Sequence, residues 1–235
     1  MKSTQGNLNS KIVRNIHIKL PTIQEQKEIS NFLSLIDKKI VLLEKTLSLY
    51  QKYNQKVIDN IFYSLENYCS FKYVKDIFKV ISSKNYHIKA SEILKNGLIP
   101  VIDQGKDFIS GYSNNKNKTC EIQPLIIFGD HTTNLKFIDF DFIIGGDGVK
   151  ILKSKNEDFS LKYLYYSLIK YNVPQEGYKR HFSLLKDVKI PIPNIEKQKE
   201  IENILNSFSN KMRIINKEVF ILKEFKKGLL QKMFV

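Results

Sequence analysis

Apolar positions recur in one register near each end of the chain. The first runs Ile29, Leu33, Ile36, Ile40, Leu43, Leu47, Tyr50, Asn54, Val57, Ile61, in steps that alternate four and three. The second runs Ile201, Leu205, Phe208, Met212, Ile215, Val219, Leu222, Lys226, Leu229, Met233, with the same alternation. An average step of 3.5 residues held this long predicts supercoiled helix pairs, not merely surface helices. Both registers lie in an internal repeat: residues 16–62 align without a gap on residues 188–234. Pro21 falls on Pro193, and Gln26-Lys27-Glu28-Ile29 falls on Gln198-Lys199-Glu200-Ile201. Each copy predicts a short edge strand, a proline stop, then a long helix whose first turn carries acidic groups where the helix dipole favours them. Asn54 and Lys226 interrupt the two seams at the same place. Either they fix the register or they lie beyond the packed part of the coil.

Two similar helices flanking one domain are expected to pack antiparallel, one leaving and one returning. A helix over residues 24–62 would be about 58 Å long at ~1.5 Å per residue. That is roughly one and a half turns of duplex, at about 34–36 Å per turn. Such a coil suits either a ruler between two reading domains or a plain dimerisation stalk.

Between the repeats the heptads stop. Short apolar runs predict strands at Leu98–Ile102, Leu125–Phe128, Leu135–Ile138, Phe142–Ile144 and Val149–Leu152. Helices are predicted at Lys72–Ile81, Ala90–Asn96 and Ser160–Tyr171. The expected fold class is therefore α+β, one mixed α/β domain bracketed by two long helices that form an antiparallel coiled coil. Gly145-Gly146-Asp147-Gly148, between two predicted strands, reads as a tight hairpin turn or as a loop that lets backbone approach phosphate.

Charge narrows the class of partner. The formal net charge is +14. The basic excess is four in residues 1–23, one in 24–62, five in 63–195 and four in 196–235, so it is spread and not a tail. Nucleic acid is the natural counterpart of such a surface, although a lysine-rich composition alone also produces it. Cys69 and Cys120 are too few for a disulfide framework and lack metal-ligand spacing, so a reducing cytoplasm is expected. No apolar run approaches the ~20 residues of a membrane span, and no membrane partner is expected.

Three stretches carry the groups that contact bases and phosphates. Tyr112, Asn114, Asn115, Lys116 and Lys118 combine amide and amine groups around one aromatic. Tyr178, Lys179, Arg180 and His181 form a compact basic cluster, with Arg180 suited to guanine and Lys179 and His181 to phosphate. Asp130-His131, beside Thr132, is the one pair that tempts a catalytic reading, and such a neighbour pair is far more often structural or ligand-contacting. None of the four histidines has metal-ligand spacing. A stand-alone nuclease or modification enzyme would need a carboxylate cluster or a cofactor loop, and neither is visible. No metal and no cofactor are expected.

The repeated unit, with its I-x-I-x-x-P-x-I-x-x-Q-K-E-I opening and long coiled helix, resembles the coil regions of specificity subunits of type I restriction–modification systems. The central segment resembles a target recognition domain of that family. Its matching stretches are Ile99-Pro100-Val101-Ile102-Asp103-Gln104-Gly105, Ile109-Ser110-Gly111-Tyr112, Phe128-Gly129-Asp130-His131-Thr132, Gly146-Asp147-Gly148-Val149-Lys150-Ile151-Leu152 and Gly177-Tyr178-Lys179-Arg180-His181-Phe182. The resemblance implies a non-catalytic subunit that directs methyltransferase and restriction subunits to a bipartite site on double-stranded DNA. It adds Gln104, Lys106, Thr132, Asp147 and Lys150 to the candidate DNA contacts. It implies a remnant of a preceding recognition domain with a lead-in strand over 1–23, a coil helix over 24–66, a recognition domain over 67–195 and a second coil helix over 196–235. The family pattern is domain–coil–domain–coil, whereas this chain reads coil–domain–coil. Three explanations stand: a half-subunit that forms a homodimer, a fragment, or a truncated cassette-derived form that serves mainly as a dimerisation and interaction scaffold.

Overall fold

The computed structural model describes residue 14, residues 20–177 and residues 179–233. The expected remnant and lead-in strand, up to residue 19 apart from residue 14, and Tyr178 lie outside the described residues. The chain divides into two compact units, one of residues 1–52 and 209–235, the other of residues 53–208. Helix α1 (Ile23–Glu66) and helix α5 (Ile195–Met233) each contribute to both.

In the first unit α1 begins with a reciprocal cap. The Thr22 backbone N–H and hydroxyl donate to Glu25 Oε2 at 2.7 Å, and Glu25 N–H donates to Thr22 Oγ1 at 3.3 Å. Two of the orphan donors of the helix start are satisfied in this way. These bonds, the hydroxyl one first, hold the Glu25 carboxyl below its ordinary value. Ile36, Ile40 and Val219 are buried against Leu43, Leu222 and Leu229. Lys226, the polar residue of the second seam, reaches both carboxylate oxygens of Asp37 at 2.5 and 2.7 Å. Within this unit the helices run antiparallel: Asp37 meets Lys226 at 2.5 Å and, further along α1, Glu44 meets Lys223 at 2.7 Å.

The second unit holds three sheets. β1 (Ser70–Tyr73) pairs antiparallel with β10 (Lys189–Ile192). β2 (Phe78–Ile81), β9 (Val149–Ser154), β6 (Leu125–Gly129) and β7 (Leu135–Ile138) form an antiparallel sheet in that order. β3 (His87–Ile88), β8 (Ile143–Gly145), β4 (Ile99–Ile102) and β5 (Gly111–Ser113) form a mixed one. Strand β6 is buried along its whole length because it feeds two cores. Ile126 and Phe128 face one core, with Tyr163 and Leu164 of helix α3 (Leu161–Lys170), Ile58 and Phe62 of α1, and Ile201 and Leu205 of α5. Leu125 and Ile127 face the other, with Ile102, Ile144 and Ile151. Side chains alternate across a strand, so one apolar run serves both faces.

Three expectations need correction. The predicted helix Lys72–Ile81 is β1, a single turn α2 (Val74–Ile77) and β2. Its flanks are drawn off as edge strands by β10 and β9, and Val74, Ile77 and Phe78 turn inward. Tertiary pairing outweighs local propensity here. The predicted helix Ala90–Asn96 is a 3₁₀ turn at Ala90–Glu92, because Leu94 exchanges both backbone hydrogen bonds with Tyr112, each at 2.8 Å. Gly145–Gly148 is not a hairpin: β8 and β9 belong to different sheets, and the segment carries the chain between them. Gly146 and Gly148 have φ of 73° and 77°, in the left-handed region that glycine tolerates.

Candidate nucleic-acid interface

The side chain of Gln104 joins three loops. It follows β4, and its Nε2 donates to the Asp147 carbonyl at 3.0 Å while its Oε1 accepts from His131 N–H at 3.1 Å. Its own carbonyl accepts from the Thr132 hydroxyl at 2.5 Å and from Asn134 Nδ2 at 3.0 Å. The loop after β4, the β6–β7 turn and the β8–β9 crossover are thus held as one surface. A Cβ on Gly148 would lie 2.6 Å from Gln104 Nε2 and 2.8 Å from His131 Cδ2, so this approach needs glycine.

Asp130, at the end of β6, is buried. Its Oδ1 accepts from Phe182 N–H, the first residue of helix α4 (Phe182–Lys186), at 2.9 Å. Its Oδ2 lies 3.5 Å from Lys150 Nζ. These contacts make the Asp130-His131-Thr132 run a structural hub. His131 Nδ1 lies 3.2 Å from the Lys179 carbonyl, and His181 is buried with both ring nitrogens engaged. The expectation that His181 meets a phosphate does not fit that burial, since a phosphate cannot reach the ring.

Gln104, His131, Thr132, Asp147, Lys150, Lys179 and His181 are therefore brought together. Lys106, Lys179 and Arg180 are exposed around them, and Lys179 Nζ pairs with Glu176 at 2.5 Å. The Tyr112–Lys118 group is tied elsewhere. Asn114 Oδ1 accepts from Leu98 N–H at 3.0 Å, Asn115 N–H donates to Ser113 Oγ at 3.2 Å, and Lys116–Lys118 form a 3₁₀ turn. Asn115 and Lys116 are exposed, while Tyr112 and Lys118 are half-buried.

One residue that sequence reasoning missed is Lys136. It is buried in β7, and its Nζ donates to the carbonyls of Asp103 at 2.8 Å and Asp107 at 2.5 Å. Burial pulls its pKa down, against the opposing pull of Asp103. The available signal was a lysine on the same strand face as Ile138, an inward position. Among the described residues, no group of three or more His, Cys, Asp or Glu is placed to hold a metal ion, and no helix is long and apolar enough to cross a membrane.

The seam residues follow the packing of each unit. Ile36, Ile40, Ile215 and Val219 are buried in the first, and Ile29, Leu33, Leu43, Leu47, Met212 and Leu222 are half-buried there. Ile201 and Leu205 are buried and Phe208 half-buried in the second.

A family model described as the type I restriction modification DNA specificity domain matches residues 1–49 and 68–220. The chain is 36% identical over 149 residues to the EcoR124I/EcoR124II specificity subunit of Escherichia coli, covering 57% of this chain and 36% of that protein. It is 34% identical over 90 residues to the MjaVIII specificity subunit of Methanocaldococcus jannaschii, covering 35% of this chain and 21% of that one. The chain thus spans about a third or less of the length of these curated relatives. In fold it is similar to the S subunit of a type I restriction–modification system from M. genitalium. The TM-score is 0.69 at 19% identity, over 91% of this chain and 62% of that one. With a family match over most of its length, paired long helices around a mixed-sheet domain and a shared fold, the chain belongs to the type I restriction–modification DNA specificity family.

Proposed function

We infer that this chain supplies DNA sequence specificity to a type I restriction–modification assembly and leaves catalysis to methyltransferase and restriction subunits. Its recognition domain reads one part of a bipartite site on double-stranded DNA. The observation that carries this reading is the three-loop surface around Gln104, with Lys106, Lys179 and Arg180 exposed on it. Hydrogen bonds fix the floor, while exposed cations at the rim suit phosphates and guanine edges. Gln104 and His181 act in the floor; Arg180 is the side chain best suited to a base edge. The paired helices serve as the spacer, and a second copy of the chain or a neighbouring recognition domain reads the other part of the site.

The test is selection from a random duplex pool by the full chain, with and without its methyltransferase partner. A short preferred sequence and a steep salt dependence are expected. Arg180→Ala should cost about 1–3 kcal/mol on the selected duplex and relax discrimination at one position. Binding with no preferred sequence, or an Arg180→Ala variant as selective as the wild type, would count against this assignment.

A further inference from the structure

The basic segment before α4 is an exposed loop with very little packing: residues 174–177, 179 and 180 are all exposed. Its conformation is nonetheless fixed from inside by one buried ring. His181 is 0% exposed. Its Nε2 accepts from Glu176 N–H at 3.0 Å, which closes the loop from 176 to 181 on itself. Its Nδ1 lies 3.0 Å from the Asp130 carbonyl, which also accepts from the His181 backbone N–H at 2.8 Å. A carbonyl oxygen only accepts, so the ring proton belongs on Nδ1, and Nε2 is left as the acceptor that Glu176 requires. Asp130 holds the other side, its carboxylate receiving Phe182 N–H at 2.9 Å. Lighter ties add to these: the His131 ring Nδ1 to the Lys179 carbonyl at 3.2 Å, Gln175 Nε2 to the His131 carbonyl at 3.4 Å, and the exposed Lys179–Glu176 ion pair at 2.5 Å, which stays within the loop.

We propose that His181 and Asp130 form a latch that sets the position of Lys179 and Arg180, making His181 a positioning residue for DNA recognition although it touches no DNA. The inference rests on the DNA-reading role argued above. Its physical content is that an exposed loop with few apolar contacts opens easily, so each internal hydrogen bond governs how often its cations stand in the reading position. The bond from the His181 ring to the Asp130 carbonyl is buried and the one to Glu176 N–H is part-buried, so the loss of a partner is felt most at Asp130.

Two variants separate the ring's shape from its hydrogen bonds. His181→Phe keeps a flat ring and removes both nitrogens. His181→Gln offers a carbonyl to Glu176 N–H and restores one side of the latch. Trypsin cuts after Lys179 and Arg180, so its rate there reports loop opening with no DNA present. Relative to wild type, that cutting should speed up about tenfold in His181→Phe and less in His181→Gln, on the loss of two bonds or one. Cutting at other exposed lysines should not change. Affinity for the wild-type-selected duplex should fall in the same order, with the Gln variant partly rescued. A folded Phe variant cut at the wild-type rate overturns the latch. Faster cutting with undiminished duplex affinity overturns the positioning role. A wild-type chain that selects no duplex overturns the DNA reading instead, and the tryptic rates still decide the latch.

Discussion

Replacing Lys136 by Met keeps the methylene stem in the core and removes only the ammonium group. In the wild type that group is 4% exposed and donates to two backbone carbonyls, those of Asp103 and Asp107, with Asp103 Oδ1 a further 3.5 Å away. Two hydrogen bonds from a charged donor contribute about 1.5–3 kcal/mol each. Against them stands the removal of an ammonium from water, a penalty of several kcal/mol in a real interior. Burial is the larger influence on its pKa, ahead of the attraction to Asp103, so that penalty takes back much of the gain. The carbonyls released belong to a loop that water reaches, so they do not stay unsatisfied. The net loss is about 1–2 kcal/mol, or roughly 2–8 °C in Tm for a unit of this size. The local effect should exceed the global one, because the ammonium is what ties the 103–107 loop to β7. Amide exchange at Gly105, whose N–H donates to Asp103 Oδ1 at 2.8 Å, should quicken more than exchange in β6 or β9. The folded state also holds the lysine proton less tightly than the unfolded chain does. Wild-type stability should therefore rise with pH up to the ordinary lysine value of about 10.4, and the Met variant should lack that rise. Unchanged Gly105 exchange together with an unchanged Tm would refute the anchoring role.

Two further outcomes are expected. On α1, Ile40 is 7% exposed in the seam and Leu42, two residues on, is 60% exposed. Ile40→Asp should cost about 3–5 kcal/mol, while Leu42→Asp should stay within about 0.5 kcal/mol, by thermal melts followed by circular dichroism; equal melts would show the seam to be misplaced. In the other unit, Lys170 donates to Asp59 at 2.6 Å and holds its carboxyl below the ordinary value. The stabilisation is present above about pH 3.9 and fades as pH falls toward the folded value, so Asp59→Asn should flatten the acid limb of the stability profile.

The elements that sequence revealed are those whose local pattern and final packing agree. Leu125–Phe128 reads as a strand because a short, continuous apolar run suits burial on both faces, and its two cores impose just that, while Leu135–Ile138, apolar apart from Lys136, is the strand beside it. The long helices were legible because a 3.5-residue period over many turns has no competing reading. Lys72–Ile81 failed because its partners lie at residues 151–154 and 189–192, and pairing at that separation leaves no local trace. The site divides along the same line. Polar residues in loops and at the start of β9 marked out the region, since Gln104, His131, Lys150, Lys179 and His181 were all in view. Which of them face outward was not legible. The inward turn of Gln104 and His181 depends on carbonyls of Asp147 and Asp130, groups that every residue carries and no sequence pattern marks.

The repeat shows how far identical local chemistry goes before tertiary context takes over. Gln26 Nε2 donates to the Pro21 carbonyl at 2.9 Å, and Gln198 Nε2 donates to the Pro193 carbonyl at the same distance. One short sequence builds one helix start in both copies. Gln198, however, also accepts from Ser160 N–H at 2.9 Å, at the residue whose hydroxyl caps α3. It is buried, whereas Gln26 is exposed. Ile201 and Leu205 are likewise buried where Ile29 and Leu33 are only half-covered. In the second copy the cover comes from the core that α3 completes, with Tyr163 and Leu164. The repeat therefore specifies the helix and its cap, and the sheet domain that packs on one copy turns the same glutamine from a surface cap into a buried tie to the start of α3. A glutamine conveys both roles because its amide has a donor for the proline carbonyl and an acceptor left over; a glutamate at the same position would keep the acceptor and lack the donor.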